Sequence, residues 1–197
     1  MDADRLGRAS GVASVVLAFG ATLLAVGLSP SFTWTENALS DLGVAWTDAG
    51  TTATVLLFDG GLVLGGLAGL AFARFLVWTV VDRVDRLAGG AFGVTSASMG
   101  AVGLFPLGTT LHVPVAVAFF LGISITAALA GVGSLRRGVT GYGAASLALA
   151  VANLGAWLAW ALAGGTAVVG LAVPELWGSL VLATWVLLTV RRWPPAP

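Results

Sequence analysis

"ATVLLFDGGLVLGGLAGLAFARFLV", residues 53–77, carries only two charges, Asp59 and Arg74, in an otherwise apolar run. At about 1.5 Å of rise per residue, a helix of this length crosses a hydrocarbon core of roughly 30 Å. The run is continuously apolar, whereas a lipid-facing strand would alternate with polar lumen residues. Five further stretches read the same way, at 10–29, 87–106, 112–134, 140–163 and 174–190. The 197-residue chain is 58% hydrophobic and 9% charged, with a mean hydropathy of +0.99, far from the composition of soluble domains. The sequence therefore predicts an all-α fold: a single transmembrane domain, 1–197, built as a polytopic membrane helix bundle of six transmembrane helices.

The cations set an expected orientation. Arg5 and Arg8 precede the first run, Arg74, Arg83 and Arg86 flank the second loop, Arg136 and Arg137 lie in the fourth, and Arg191 and Arg192 follow the last. All fall on one side, which the positive-inside bias makes cytoplasmic, so both termini are expected inside. The opposite side has no basic residue and holds Glu36, Asp41, Asp48 and Glu175. Zero formal charge gives no electrostatic case for nucleic acid, although the inner arginines suit anionic headgroups. The absence of cysteine excludes disulfides and thiolate chemistry. Cations that are all arginine, among abundant Ala, Gly, Val and Leu, suggest a prokaryotic plasma membrane. Arg5 and Arg8 before an apolar run also fit a signal peptide, but the run is long for one and lacks a cleavage pattern, so the first helix is read as retained.

The first outer loop, 30–51, is the longest and is expected to form a lid on the outer membrane surface. Thr35 is a plausible helix N-cap there, Glu36 complements the positive end of the dipole, and Gly43 suits a left-handed C-terminal position. Leu39 and Leu42 share a face, and Trp34 and Trp46 read as interfacial anchors. On a purely local reading, Ser40 and Asp41 satisfy backbone at a turn. Small residues recur at Gly61, Gly65 and Gly69, and at Gly89, Gly93, Ala97 and Ala101, which predicts contact between the second and third helices. No internal symmetry is evident between the two halves.

Asp59 is the one acid deep in a span, roughly 9 Å below its outer end by helical rise. A charge at that depth costs about 3 kcal/mol on insertion scales, so it should face the bundle interior and find a partner. His112 begins the fourth span in "GTTLHVP", with Thr109 and Thr110 as candidate caps and Pro106 closing the preceding helix. Topology brings His112, Asp41, Glu36, Glu175 and Asp59 to one side. That convergence reads as a metal site, as a hydrolytic site with His112 activating water or Ser40, or as a recognition pocket. No HExxH spacing, GxSxG or Ser-Lys pair accompanies it, and no cofactor or metal is expected. The recognition reading takes Glu36, Asn37, Ser40, Asp41, Asp59, His112 and Glu175 as ligand-binding residues; a catalytic reading would rest on His112, Asp41 and Asp59.

Asn153, mid-span, should hydrogen-bond another helix. Trp157, Trp160 and Trp177 fit an outer aromatic belt, and Trp78 and Trp193 an inner one, marking depth. Arg74 is expected to snorkel, and Asp82, Arg83, Asp85 and Arg86 read as a solvated cluster.

"NALSDLG" (37–43), "LFDGG" (57–61) and "GLFPLGTTLH" (103–112) together resemble the six-span prokaryotic family catalogued as domain of unknown function 998. That family's pattern has an outer-loop "ISDLG", a second span opening with Phe and a polar residue, and a third span ending "GxFP" before a histidine. The resemblance implies the six-helix fold and selects Ser40, Asp41, Gly43, Phe58, Phe105, Pro106 and His112. It departs where many members carry an acid after "FP" and this chain has Leu107-Gly108. A remoter similarity is to Frag1/DRAM-type six-span proteins. Neither implies a reaction. The expected functions are binding of a lipid headgroup or small polar solute, or an accessory role with a membrane-protein partner or as a homo-oligomer. The alternatives are a hydrolase-like membrane enzyme acting on lipid and an ion- or proton-coupled transporter.

Overall fold

A computed structural model describes residues 3–167 and 169–192. Six helices are long and apolar enough to cross a membrane: α1 (Ala3–Gly27), α2 (Thr52–Thr79), α3 (Arg83–Leu104), α4 (His112–Arg136), α5 (Thr140–Leu162) and α6 (Ala172–Arg191). No strand occurs among the described residues. Helix ends depart from the hydropathy boundaries because polar residues extend helices beyond the apolar core. Asp82, for example, caps α3 four residues early, accepting from the Val84 N–H at 2.8 Å and the Asp85 N–H at 3.2 Å. Trp193 lies outside the described residues.

Neighbours in sequence are neighbours in space, and α6 closes the ring against α5 and α1 while also meeting α4. The expected contact between α2 and α3 is present, and the predicted glycine stripe divides between two neighbours. Gly61 and Gly65 face α1: a Cβ on Gly61 would lie 2.5 Å from the Ala21 Cβ, and one on Gly65 would lie 2.9 Å from the Ala18 nitrogen. The α3 contact also uses Gly66, where a Cβ would lie 2.9 Å from the Gly100 Cα. Gly69 meets both neighbours, since a Cβ there would lie 2.5 Å from Ser96 Oγ of α3 and 3.0 Å from Ser14 Oγ of α1, and across the contact a Cβ on Gly89 would lie 3.2 Å from the Leu76 Cβ.

The arginine end is tied by side chains from four helices. Asp85 of α3 forms an ion pair with Arg137, just past α4. Arg192 donates to Ser134 Oγ at 3.1 Å and lies 4.2 Å over the Tyr142 ring, whose hydroxyl shares a 2.8 Å hydrogen bond with Thr189 Oγ1. The predicted solvated cluster is therefore corrected. Asp82 is a helix cap and Asp85 a clamp between helices, while Arg86 donates to the Val80 carbonyl. Arg74 sits against Trp78, 5.4 Å from the ring centre.

Substituting a close-approach glycine should be far costlier than substituting an open one. Gly66→Leu is expected to lower thermal stability in detergent by the roughly 1–3 kcal/mol typical of overpacking. Gly60→Ala, where an added Cβ meets nothing within 4 Å, should be neutral or stabilising. Equal melting temperatures for the two variants would contradict this packing.

Candidate functional site

The 29–51 loop packs into one end of the helix bundle. Leu39, Leu42, Val44 and Ala49 are buried there, within the same apolar core as the helices or beside it. Ser29 Oγ donates to the Ala49 carbonyl at 2.8 Å, closing the base of the loop. Its helical turn is a short 3-10 segment, Leu39–Gly43, starting three residues later than predicted and preceded by Ala38 rather than capped by Thr35. Asp41 turns back as the cap: its Oδ2 accepts from the Ala38 N–H at 3.0 Å and from Asn37 Nδ2 at 2.9 Å. Asn37 Oδ1 in turn accepts from the Thr33 N–H at 2.8 Å. Glu36 is exposed, with Oε2 3.3 Å from the Thr33 hydroxyl.

The turn is fastened to the start of α6. The Gly170 N–H, just before the helix, donates to the Thr35 carbonyl at 2.6 Å, and the Ala172 N–H, which the helix start leaves without an internal partner, donates to the Asn37 carbonyl at 2.9 Å. Reciprocally, Glu175 Oε2 accepts from the Leu39 N–H at 2.6 Å. Gly43 does not adopt the expected left-handed conformation. It is required for closeness, because a Cβ there would lie 2.5 Å from Asp59 Oδ1 and 3.0 Å from Phe58 Cδ1.

His112 has an equally definite place. Pro106 cannot continue α3, and the Phe105 carbonyl sits 2.9 Å from His112 Nδ1. A carbonyl only accepts, so this contact puts the ring proton on Nδ1 and leaves Nε2 as an acceptor in the neutral ring. The threonines are not caps of α4: Thr109 donates to the Pro106 carbonyl at 2.9 Å, and Leu111 precedes the helix without a side-chain cap.

Between the loop and helices α4, α5 and α6 lies a cavity of about 560 Å³, lined by Glu36, Ser40, Asp41, His112 and Glu175 at its polar end. A smaller chamber of about 40 Å³ lies deeper in the bundle, and Ser40, His112 and Glu175 line both. These three are each more than nine-tenths buried. The outer wall of the larger cavity includes Val113, Val117 and Leu121 of α4 and Leu154 of α5, residues 49–65% exposed on the surface that hydrocarbon would cover. The cavity is therefore open sideways toward the bilayer.

Of the residues named from sequence, Glu36, Ser40, Asp41, His112 and Glu175 come together, with Asn37 supporting Asp41 from behind. Asp59 does not line the cavity; its buried Oδ1 lies beneath Gly43 and has no partner among the described residues. Two residues were read too narrowly. Asn153 does bridge helices, donating from Nδ2 to the Phe120 carbonyl at 2.9 Å and to Ser124 Oγ at 2.8 Å, but it also lines the cavity and its buried Oδ1 is unpaired. Trp157, read as a depth marker, lines the same cavity with an unpaired Nε1 and packs on Phe120 at 4.8 Å. Their four-residue spacing on α5 was the available signal. Among the described residues no three His, Asp or Glu side chains are grouped to hold a metal ion.

Six apolar helices closed around a buried loop, with a largely apolar cavity that carries polar groups at one end, define a multi-pass membrane protein. The chain belongs to the family described as Protein of unknown function (DUF998), whose model matches residues 12–192. No curated protein and no solved structure matches the chain.

Proposed function

We propose that this protein binds a membrane lipid, with the headgroup beneath the 29–51 loop and an acyl chain between α4 and α5. The observation that carries this reading is the continuity of one cavity from a polar end at Ser40, His112 and Glu175 to an apolar wall at Val117, Leu121 and Leu154. A soluble ligand needs no opening along the lipid-facing side of two helices; an amphiphile does. The volume of about 560 Å³ suits a headgroup and part of a chain, within the usual range for small-molecule sites. A hydrolytic role draws less support, since Ser40 and His112 share no hydrogen bond, and nucleophile and base within such reach are the mark of an activated hydroxyl. Ion-coupled transport draws less still, because Asp59 stands apart from the cavity.

The same reading places the loop outside and the arginines inside a prokaryotic plasma membrane, following the positive-inside bias. The chain has no cysteine, so a single Asp48→Cys is a clean reporter: a membrane-impermeant maleimide added to intact cells should label it. Labelling only after the membrane is breached would reverse the orientation. For the pocket, native mass spectrometry of the purified protein should retain a phospholipid adduct. Val117→Trp, which fills the cavity from a position half exposed on the surface, should lose most of that adduct with little change in melting temperature. A lipid-free wild type, or equal retention by the variant, would count against lipid binding here.

A further inference from the structure

Hydrogen-bond capacity left over at the cavity is unevenly divided between acceptors and donors. Glu175 offers Oε1, since Oε2 is held by Leu39. His112 offers Nε2, since Nδ1 is committed to Phe105. Asn153 has an unpaired Oδ1, and its orientation is fixed because Nδ2 faces the Phe120 carbonyl, which only accepts. Glu36 and Asp41 add carboxylates at the mouth. Against these acceptors stand the Trp157 Nε1–H and hydroxyls that can act either way, Ser40 among them, and no arginine lines the cavity.

The buried members matter most. His112, Glu175 and Asn153 are each more than nine-tenths buried and line the cavity, and of their acceptors Asn153 Oδ1, set against Gly178 of α6, is fully buried without a partner. An acceptor withdrawn from water without a donor is unfavourable, so a ligand that supplies N–H groups recovers what burial removed. A phosphate-terminated or glycerol-phosphate headgroup would bring more acceptors and negative charge to carboxylates. A trimethylammonium group brings positive charge but no N–H donor. A primary ammonium brings three donors and the complementary charge together.

Building on the lipid-binding reading, we infer that the cavity selects a primary-ammonium headgroup, of the kind an aminophospholipid or a free alkylamine carries, over phosphatidylglycerol and phosphatidylcholine. The acceptors at Glu175, His112 and Asn153 take its N–H groups, and Asp41 and Glu36 face its charge at the entrance.

The test uses the purified full-length protein in detergent, offered an equimolar mixture of phosphatidylethanolamine, phosphatidylcholine and phosphatidylglycerol with identical chains, read by native mass spectrometry. Retention of phosphatidylethanolamine should exceed that of each other lipid by about tenfold, the effect of roughly 1.4 kcal/mol. In Glu175→Gln, whose amide oxygen can still accept from Leu39, the preference should fall several-fold. Glu36→Gln, an exposed substitution without folding risk, should lower it more modestly. Equal or preferred retention of phosphatidylglycerol or phosphatidylcholine, with Val117→Trp still abolishing retention, would overturn the headgroup assignment while leaving lipid binding intact. Absence of any cavity-dependent lipid would overturn both. Displacement of bound phosphatidylethanolamine by millimolar ethanolamine, but not by choline, would support the ammonium site and identify free amines as able to fill it.

Discussion

In a bilayer the backbone must satisfy its own polar groups, and a loop that descends into the end of a helix bundle meets that requirement only by finding partners on the helices around it. Here the partners are on the first turn of α6. The Gly170 amide just before that helix and the Ala172 amide at its start reach carbonyls of Thr35 and Asn37, and Glu175 returns an acceptor to the Leu39 amide. With those bonds made, Leu39 and Leu42 can be buried, and Ser40 and Asp41 between them are turned to the cavity. The Pro106 break in the hairpin between α3 and α4 is settled in the same manner, with the His112 ring on the Phe105 carbonyl. Each interaction uses one end of a polar side chain to complete backbone and leaves the other end at the cavity.

That division gives structural and functional readings of the same residues without setting them against each other. Asp41 is a cap and also a wall of the cavity. Glu175 is a clasp through one oxygen and also lines the cavity. The opposite end of the bundle has a different logic: Asp85, Arg137, Arg192 and Tyr142 are used against one another, tying four helices together around a small chamber of about 50 Å³. One end holds the helices, and the other holds a space between them.

How much of this was legible from sequence follows from which forces are local. Six spans are visible because the bilayer demands long apolar runs whatever their neighbours are, and the family's short motifs fall on the loop, the α2 entrance and the α3–α4 hairpin. The common side of Glu36, Ser40, Asp41, His112 and Glu175 follows from counting spans. Position around the bundle axis does not: Leu39 and Glu175 are 136 residues apart, and nothing local announces their bond. For the same reason Asp59 reads as part of the site although it faces Gly43, and Trp157 reads as a belt residue although it faces the cavity. Gly43 illustrates a further limit, since a glycine required for close approach looks the same in sequence as one required for a turn.

The most direct test of this account is amide hydrogen exchange across residues 35–43 in lipid nanodiscs, comparing the wild type with Glu175→Ala. A loop fastened to α6 predicts slow exchange at Leu39 and Asn37–Asp41 in the wild type, accelerated by tenfold or more in the variant while α2 and α3 stay protected; loss of a buried hydrogen-bond partner at about 1–3 kcal/mol gives a change of that order. Rapid exchange of the loop in the wild type, or exchange indifferent to Glu175, would contradict a roof built on that carboxyl.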